Sequence, residues 1–285
     1  MFSINIEKIK TKHGCLNFLS SDLYIGKSLK QYGEYSEIEL SILLSLINKK
    51  DVVFDIGSNI GAFTIPIAKK VGKLGTVFSF EPQNLIHEIQ KENIDENNIK
   101  NIKLYQAGIS DKPSQVKLCL IDYSMEDNFG GVSLIQSNLN PFYPENNDPK
   151  QQINMITLDS FLFLKKCNFI KIDVENMEIN VLRGGRKFLE KFRPILWMEN
   201  HRIFPNKVNK FLLDREYDIY WVLSTLYNPK NFFRSGLNLF PNICSENILA
   251  IPKEKKISKL KYFDNCEKII DCNTPPKKIF DKFVV

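Results

Sequence analysis

The stretch V-V-F-D-I-G-S-N-I-G at residues 52–61 constrains this chain more than any other. A short apolar run rich in β-branched residues breaks at Asp55 into a turn carrying Gly57 and Gly61, and a helical pattern follows at once. The backbone is expected to go strand, tight turn, helix, which is how an α/β chain opens a pocket for a nucleotide-type ligand.

The flanking sequence extends this pattern. Residues 75–80 read as a second strand ending at Glu81-Pro82, residues 84–93 as a helix and residues 102–106 as a third strand. Crossovers of this length impose parallel strands and right-handed connections. Pro66 falls early in the helix after the turn, where a missing amide is tolerated. Upstream, residues 4–19 alternate around His13-Gly14 as a hairpin, and Ser36-Glu-Ile-Glu39 has the form of a capping box opening a helix over 38–48. Downstream the rhythm breaks: residues 115–121 and 131–136 read as strands of an inserted hairpin, and the Pro- and Asn-rich run 137–150 is a candidate substrate lid. Alternation then resumes with strands at 153–156, 169–172, 195–198, 218–223 and 248–251, and helices at 178–189 and around Val208, Phe211 and Leu212. The lysine-rich residues after Pro252 show little pattern.

A length of 285 residues accommodates one main domain with decorations. The expected division is a hairpin-and-helix cap at 1–48, a main domain at 49–252 with an insertion near 112–152, and a basic tail at 253–285. The fold class is α/β, a mostly parallel Rossmann-like sheet with helices on both faces, plus the amino-terminal hairpin and helix and the inserted β-hairpin. No apolar run approaches the roughly 18 residues of a membrane span. The start M-F-S-I-N-I-E-K-I-K lacks the basic head and apolar core of a signal peptide, so a cytoplasmic location is expected. Six scattered cysteines without a C-x-x-C pair point to neither a zinc ribbon nor a disulfide framework. The net charge of +6 owes much to the tail, which raises nucleic acid, anionic glycans or a membrane surface as partners. Only Tyr262, Phe263, Phe280 and Phe283 interleave its lysines, which is weak support for base stacking.

The turn itself, G-x-N-x-G, lacks the third glycine of the dinucleotide fingerprint, and Asn59 and Phe63 stand where a pyrophosphate needs bare amides. That favours a nucleoside without phosphates, such as S-adenosylmethionine, whose amino-acid end can meet the turn's backbone groups and Asp55. Glu81, at the end of the second strand, is placed to accept both hydroxyls of an adenosine ribose. Turn and acid together do not separate a methyltransferase from a nicotinamide oxidoreductase. A third group, K-I-D-V-E-N-M-E at 171–178, sets Asp173 and Glu175 just past a strand and above the same crevice, on one face if strand geometry persists. Glu199 and His201 follow the next strand, and His201 is a candidate general base. Asp173, Glu175 and Glu199 offer oxygen ligands for magnesium, but their spacing does not demand a metal and none is expected.

The ordered set D-I-G-S-N-I-G-A-F-T, F-S-F-E-P, A-G-I-S-D, I-T-L-D-S-F, F-I-K-I-D-V-E-N-M-E-I-N-V-L-R-G-G and W-M-E-N resembles the FkbM family of S-adenosylmethionine-dependent methyltransferases, over about residues 51–200. The resemblance implies a class I methyltransferase fold and methyl transfer to a hydroxyl of a sugar, glycan or secondary metabolite, with S-adenosylhomocysteine as product. Carried over, Asp55, Gly57, Ser58, Asn59 and Gly61 form the cofactor turn and Glu81 binds ribose. Ala107, Gly108 and Ile109 with Asp111 flank adenine. Asp173 and Glu175 stand at the acceptor, Asp173 also bordering the cofactor, with His201 as rival base or relay. Asn176 replaces the family's glycine, and asparagine best tolerates left-handed geometry among the other residues. Tyr32, Glu34 and Glu37 are candidates to close over the methionine end. The implied partner is a small-molecule or glycan acceptor, with no stable nucleic-acid partner and no membrane span. The oligomeric state stays open, a homodimer included. The alternative is a methyltransferase-fold protein that binds or modifies RNA through its basic tail.

Overall fold

Strand β3 (Val52–Ile56), counted after the hairpin β1 (Ile6–Thr11) and β2 (Gly14–Leu19), lies inside an eight-stranded sheet in a computed structural model that describes residues 4–119, 121–134, 150–200, 206–255 and 266–272. On one side it pairs in parallel with β4 (Thr76–Phe80), which pairs with β5 (Ile102–Tyr105). On the other it pairs in parallel with β9 (Phe169–Ile172), and β9 with β10 (Ile195–Glu199). Then β12 (Cys244–Pro252) runs antiparallel between β10 and β11 (Tyr217–Thr225), and β13 (Cys266–Ile269) closes the edge beside β11. The chain winds outward in both directions from the β3/β9 boundary, so the topological switch point of the sheet lies there, and ligands of such sheets bind at the carboxyl ends of the strands on either side.

The strands are apolar on successive residues because both faces are covered. Val53, Phe169, Trp197 and Leu249 face a core closed by α1 (Ile25–Tyr32), α2 (Glu37–Leu46), α3 (Thr64–Val71) and α4 (Asn84–Glu96). Phe54, Ile170, Leu196 and Ile248 face a second core closed by α5 (Glu178–Arg183), α6 (Arg186–Phe192) and α7 (Asn206–Leu213). Phe54 anchors that side, stacked on Phe78 with centroids 4.8 Å apart and meeting Phe161 edge-on at 5.3 Å.

Local chemistry accounts for several departures from the sequence reading. The helix expected over 178–189 is two helices, because the Gly184 carbonyl accepts from the Asp159 amide and the Phe188 amide donates to Asp159 Oδ1, so the two do not bond to each other. Ser36 forms no capping box: its backbone is left-handed, φ 44°, and its hydroxyl donates to the Glu39 carboxylate at 2.9 Å. In the insertion, β7 (Ser114–Cys119) pairs antiparallel with β8 (Lys150–Ile156), and β6 (Gly108–Ile109) runs parallel to β8. The strand expected at 131–136 is absent from its described part, where Phe129–Gly131 forms a 3-10 turn instead. The lid expected at 137–150 lies outside the described residues up to Lys150. Helix α1 and strand β13 were not anticipated, although Ile25, Leu29 and Tyr32 of α1 do recur at helical spacing. Among the described residues no helix is long and apolar enough to cross a membrane.

Truncating fully buried Phe54 removes ring contacts that the surrounding sheet cannot collapse to replace. Phe54→Ala is expected to lower unfolding free energy by about 3–5 kcal/mol, read from urea denaturation.

Candidate active site

The end of β3 cannot continue straight. The Asp173 amide donates to the Ile56 carbonyl at 3.0 Å, and a Cβ on Gly57, at φ 78°, would lie 1.7 Å from the Asp173 carbonyl oxygen. Only glycine fits this crossing. Asn59 (φ 49°) and Gly61 (φ 86°) complete the left-handed turns that lead into α3. The turn is pinned from below by a buried network. The Ser58 hydroxyl donates to Gln90 Oε1 at 2.9 Å, Gln90 Nε2 donates to the Thr64 and Ser79 hydroxyls, and the Thr64 hydroxyl donates to Asp55 Oδ2 at 2.6 Å.

Above the turn opens a cleft of about 320 Å³, continuous in its lining with a narrower lobe of about 50 Å³. Gly57, Glu81, Asp173 and Glu175 border both. The small lobe is walled by Phe80, Pro82, Ala107, Gly108, Ile109 and Met177, a largely apolar slot suited to a flat ring. Glu81 stands where the two meet. Its Oε2 accepts from the Asn59 amide at 3.0 Å and its Oε1 from the Gln83 amide at 2.9 Å. Burial pushes its carboxyl up to about 7, against the opposing pull of those two amides.

At the lip of the large cleft, Asp173, Glu175 and Glu199 offer carboxylate oxygens within 4.8 Å of one another. Strand geometry does not persist past Ile172: Glu175 (φ 49°) and Asn176 (φ 73°) are both left-handed, so a turn, and not strand period, gathers the carboxylates. Asn176 accommodates the geometry that glycine would otherwise supply. Burial, then the charge of Asp173, raises the carboxyls of both Glu175 and Glu199. Three such oxygens could ligate a hard divalent cation.

Lys171 occupies the centre. Its ammonium lies 3.2 Å from Asp173 Oδ2, 3.6 Å from Asp55 Oδ1, 3.4 Å from the Gly57 carbonyl oxygen and 5.4 Å from the Phe63 ring centroid. Burial alone would lower its pKa, but Asp173, Asp55 and Glu39 together hold it well above the ordinary value. Glu39, itself raised by burial, accepts from Trp197 Nε1 at 2.9 Å. Tyr35 shares the cleft wall with Glu39.

Most of the residues singled out in the sequence meet here. Gly57, Ser58, Asn59, Glu81, Ala107, Gly108, Ile109, Asp173 and Glu175 line the two lobes. Asp55 does not face the cleft; it is fully buried beneath the turn, taken up by Thr64 and Lys171. Gly61 packs on Gln90 instead of facing the cavity, and Asp111 is exposed outside both lobes. Tyr32 and Glu34 hold a neighbouring loop, Glu34 accepting from Asn228 Nδ2 and the Phe232 amide, and Glu37 pairs with Lys12 and His13. His201 lies outside the described residues. Lys171, Glu39 and Tyr35 gained no place in the site from the sequence, where Glu39 read only as part of a capping box, although a lone cation inside F-I-K-I and acids inside the apolar E-I-E-L-S-I-L-L were the available signals.

A family model, the methyltransferase FkbM domain, matches residues 55–219, which is more than half of the chain and takes in the turn, Glu81 and the carboxylate cluster. This chain belongs to the FkbM methyltransferase domain family. Methyltransferase 1 of Beauveria bassiana (strain ARSEF 2860) is 25% identical over 143 residues, 46% of this chain and 57% of that protein. A FkbM methyltransferase structure from Methylobacillus flagellatus KT aligns with TM-score 0.44 and 18% identity over 72% of this chain and 44% of its own. Precorrin-6y C5,15-methyltransferase from Geobacter metallireducens GS-15 aligns with TM-score 0.42 and 15% identity over 76% and 87% respectively. The chain thus spans little more than half of the curated relative and less than half of the first of these structures.

Lys171→Met would leave the fully buried Asp55 carboxylate without its cation. Breaking a buried pair in this way is expected to cost about 3–5 kcal/mol, measured by denaturant unfolding, and to weaken ligand binding at the turn.

Proposed function

We propose that this FkbM-family protein transfers a methyl group from S-adenosylmethionine to a hydroxyl of a sugar, glycan or secondary metabolite. The observation that carries the reading is the position of Glu81, a buried carboxylate bordering both lobes with an apolar slot on one side and the turn and carboxylate cluster on the other. That order of chemistries matches adenine, ribose and a charged amino-acid end in sequence. Glu81 keeps lone pairs beyond its two amide bonds to accept ribose hydroxyls, Ala107, Gly108 and Ile109 line the slot for the base, and Gly57, Ser58 and Asn59 present the turn's backbone to the amino-acid end. The donor supplies an already activated methyl on its sulfonium.

The chain's remaining work is alignment of the acceptor oxygen and removal of its proton. Alignment of reacting groups can contribute roughly 7–11 kcal/mol in favourable intramolecular systems, and a general base about 100- to 10,000-fold. Asp173 is engaged by the Lys171 ammonium. Glu175 makes no hydrogen bond or ion pair among the described residues, and its raised carboxyl suits proton abstraction near neutral pH, so it is the base in this reading and Asp173 orients the acceptor. In this reading the ammonium 3.2 Å from Asp173 supplies the positive charge at the cluster, and no metal is called on. Turnover should therefore survive dialysis against EDTA, and a loss restored by magnesium would shift the acceptor role to a metal-bound carboxylate cluster.

The base must be ionised to act, so kcat/KM should fall as pH drops through the Glu175 pKa, which burial and the charges of Asp173 and Glu178 hold above the ordinary glutamate value of about 4.3. Glu175→Gln should cost about 100-fold or more in kcat and remove that acid limb. Binding of S-adenosylhomocysteine by calorimetry should be retained in Glu175→Gln and lost in Glu81→Ala. Failure of the wild-type chain to bind S-adenosylhomocysteine sinks the whole reading.

A further inference from the structure

The segment joining β11 to β12, residues 226–243, holds no acidic residue; its charged side chains are Lys230 and Arg234. Five large apolar side chains on it are partly exposed: Phe232 is 43% exposed, Phe233 41%, Leu237 57%, Leu239 38% and Ile243 36%, with the inner edges of the two phenylalanine rings resting on Gly33. Single exposed apolar residues are ordinary, but a cluster on one segment marks an interaction surface.

The segment is also held rigidly. The Tyr32 carbonyl accepts from the Phe233 amide at 3.0 Å and the Tyr32 hydroxyl from the Leu239 amide at 2.7 Å. Glu34, two residues on and past the end of α1, accepts from Asn228 Nδ2 at 2.7 Å and the Phe232 amide at 2.9 Å. The Tyr227 and Phe240 rings pack on Tyr32 at 5.5 and 6.2 Å, turning inward while their neighbours turn out. A buried carboxylate and a buried tyrosine thus hold the backbone of a segment whose apolar side chains are partly exposed. Lys230 and Arg234 are exposed beside those side chains and form no ion pair among the described residues.

We propose that this segment docks the protein on an anionic lipid surface, with Phe232, Phe233, Leu237 and Leu239 entering the interface and Lys230 and Arg234 meeting headgroup phosphates. Aromatic and leucine tips flanked by basic side chains are the chemistry of interfacial anchors. A second copy is the poorer occupant, because a two-fold contact through this patch would set the cations of one copy against those of the other with no carboxylate on the segment to pair them. Leu226 and Ile243, at the two ends of the segment, line the large cleft, so docking holds the cleft mouth at the headgroup layer. On the methyl-transfer reading, the acceptor is then a hydroxyl carried at a lipid surface; the docking itself does not rest on that reading.

The test is co-sedimentation of the full chain with vesicles of phosphatidylcholine alone and of phosphatidylcholine with phosphatidylglycerol. Binding is expected on the mixed vesicles and should weaken with salt. Lys230→Glu with Arg234→Glu, and separately Phe232→Ser with Leu237→Ser, should each lower the partition coefficient by about tenfold or more with thermal unfolding unchanged. Absence of vesicle binding, equal binding to both compositions, or full binding by both variants overturns the proposal. So does a wild-type dimer in sedimentation velocity that Phe232→Ser with Leu237→Ser splits, which assigns the patch to a second copy. Binding of S-adenosylhomocysteine, measured on the same samples, separates a failure of docking from a failure of the methyl-transfer reading.

Discussion

The Lys171 ammonium is the interaction on which the site depends. A buried cation without partners costs several kcal/mol, so the fold must bring carboxylates to it. Asp55 arrives from β3, Asp173 from the end of β9 and Glu39 from α2, and the carbonyl of Gly57 adds a dipole from the turn. One charge thereby ties two neighbouring strands, the glycine turn and the amino-terminal cap into a single arrangement. Glu39 extends the tie to β10 through Trp197. The same arrangement buries Glu175 and Glu199 beside the Asp173 charge, and burial first, then that charge, raises their carboxyls.

The backbone at the switch point is built to the same end. Parallel pairing of Ile56 with Ile172 brings the two strand ends side by side, and the chain leaves each in a left-handed turn, at Gly57 and Asn59 on one side and at Glu175 and Asn176 on the other. Left-handed non-glycine residues cost of order 1–3 kcal/mol each and persist only where the surroundings over-determine them. Here the surroundings are two packed cores and a buried hydrogen-bond network running from Ser58 through Gln90 to Thr64 and Asp55. Two of these left-handed residues, Asn59 and Glu175, line the cleft.

Around this centre the chain adds pieces that neither contribute to the sheet's inner strands nor lie beneath the turn. The amino-terminal helix α1 ends at Tyr32, Gly33 and Glu34, and these hold the apolar segment at the cleft mouth. The inserted strands β7 and β8 carry the far wall of the narrow lobe through β6. The family match stops short of the first and includes the second.

The sequence by itself determined the strand–turn–helix at Val52–Gly61, the parallel half around it and the convergence of Glu81, Asp173 and Glu175 on one crevice. Those follow from local rules: β-branched runs buried on both faces, glycines where the chain must turn left-handed, and acids placed at strand ends. The local rules failed where distant residues meet. The helix at 178–189 breaks because Asp159 takes up the Gly184 carbonyl and the Phe188 amide, the Ser36 hydroxyl turns to Glu39 instead of capping, and Asp55 is drawn beneath the turn by Lys171 and Thr64. Tyr32 and Glu34 read as cofactor-closing residues because of their position in the chain, and the tertiary fold uses them to hold residues 228–239. Burial and partnership of a charged group depend on neighbours far away in sequence. Whether a lysine or a glutamate is a solvated side chain or the centre of a site was therefore decided only by the folded chain.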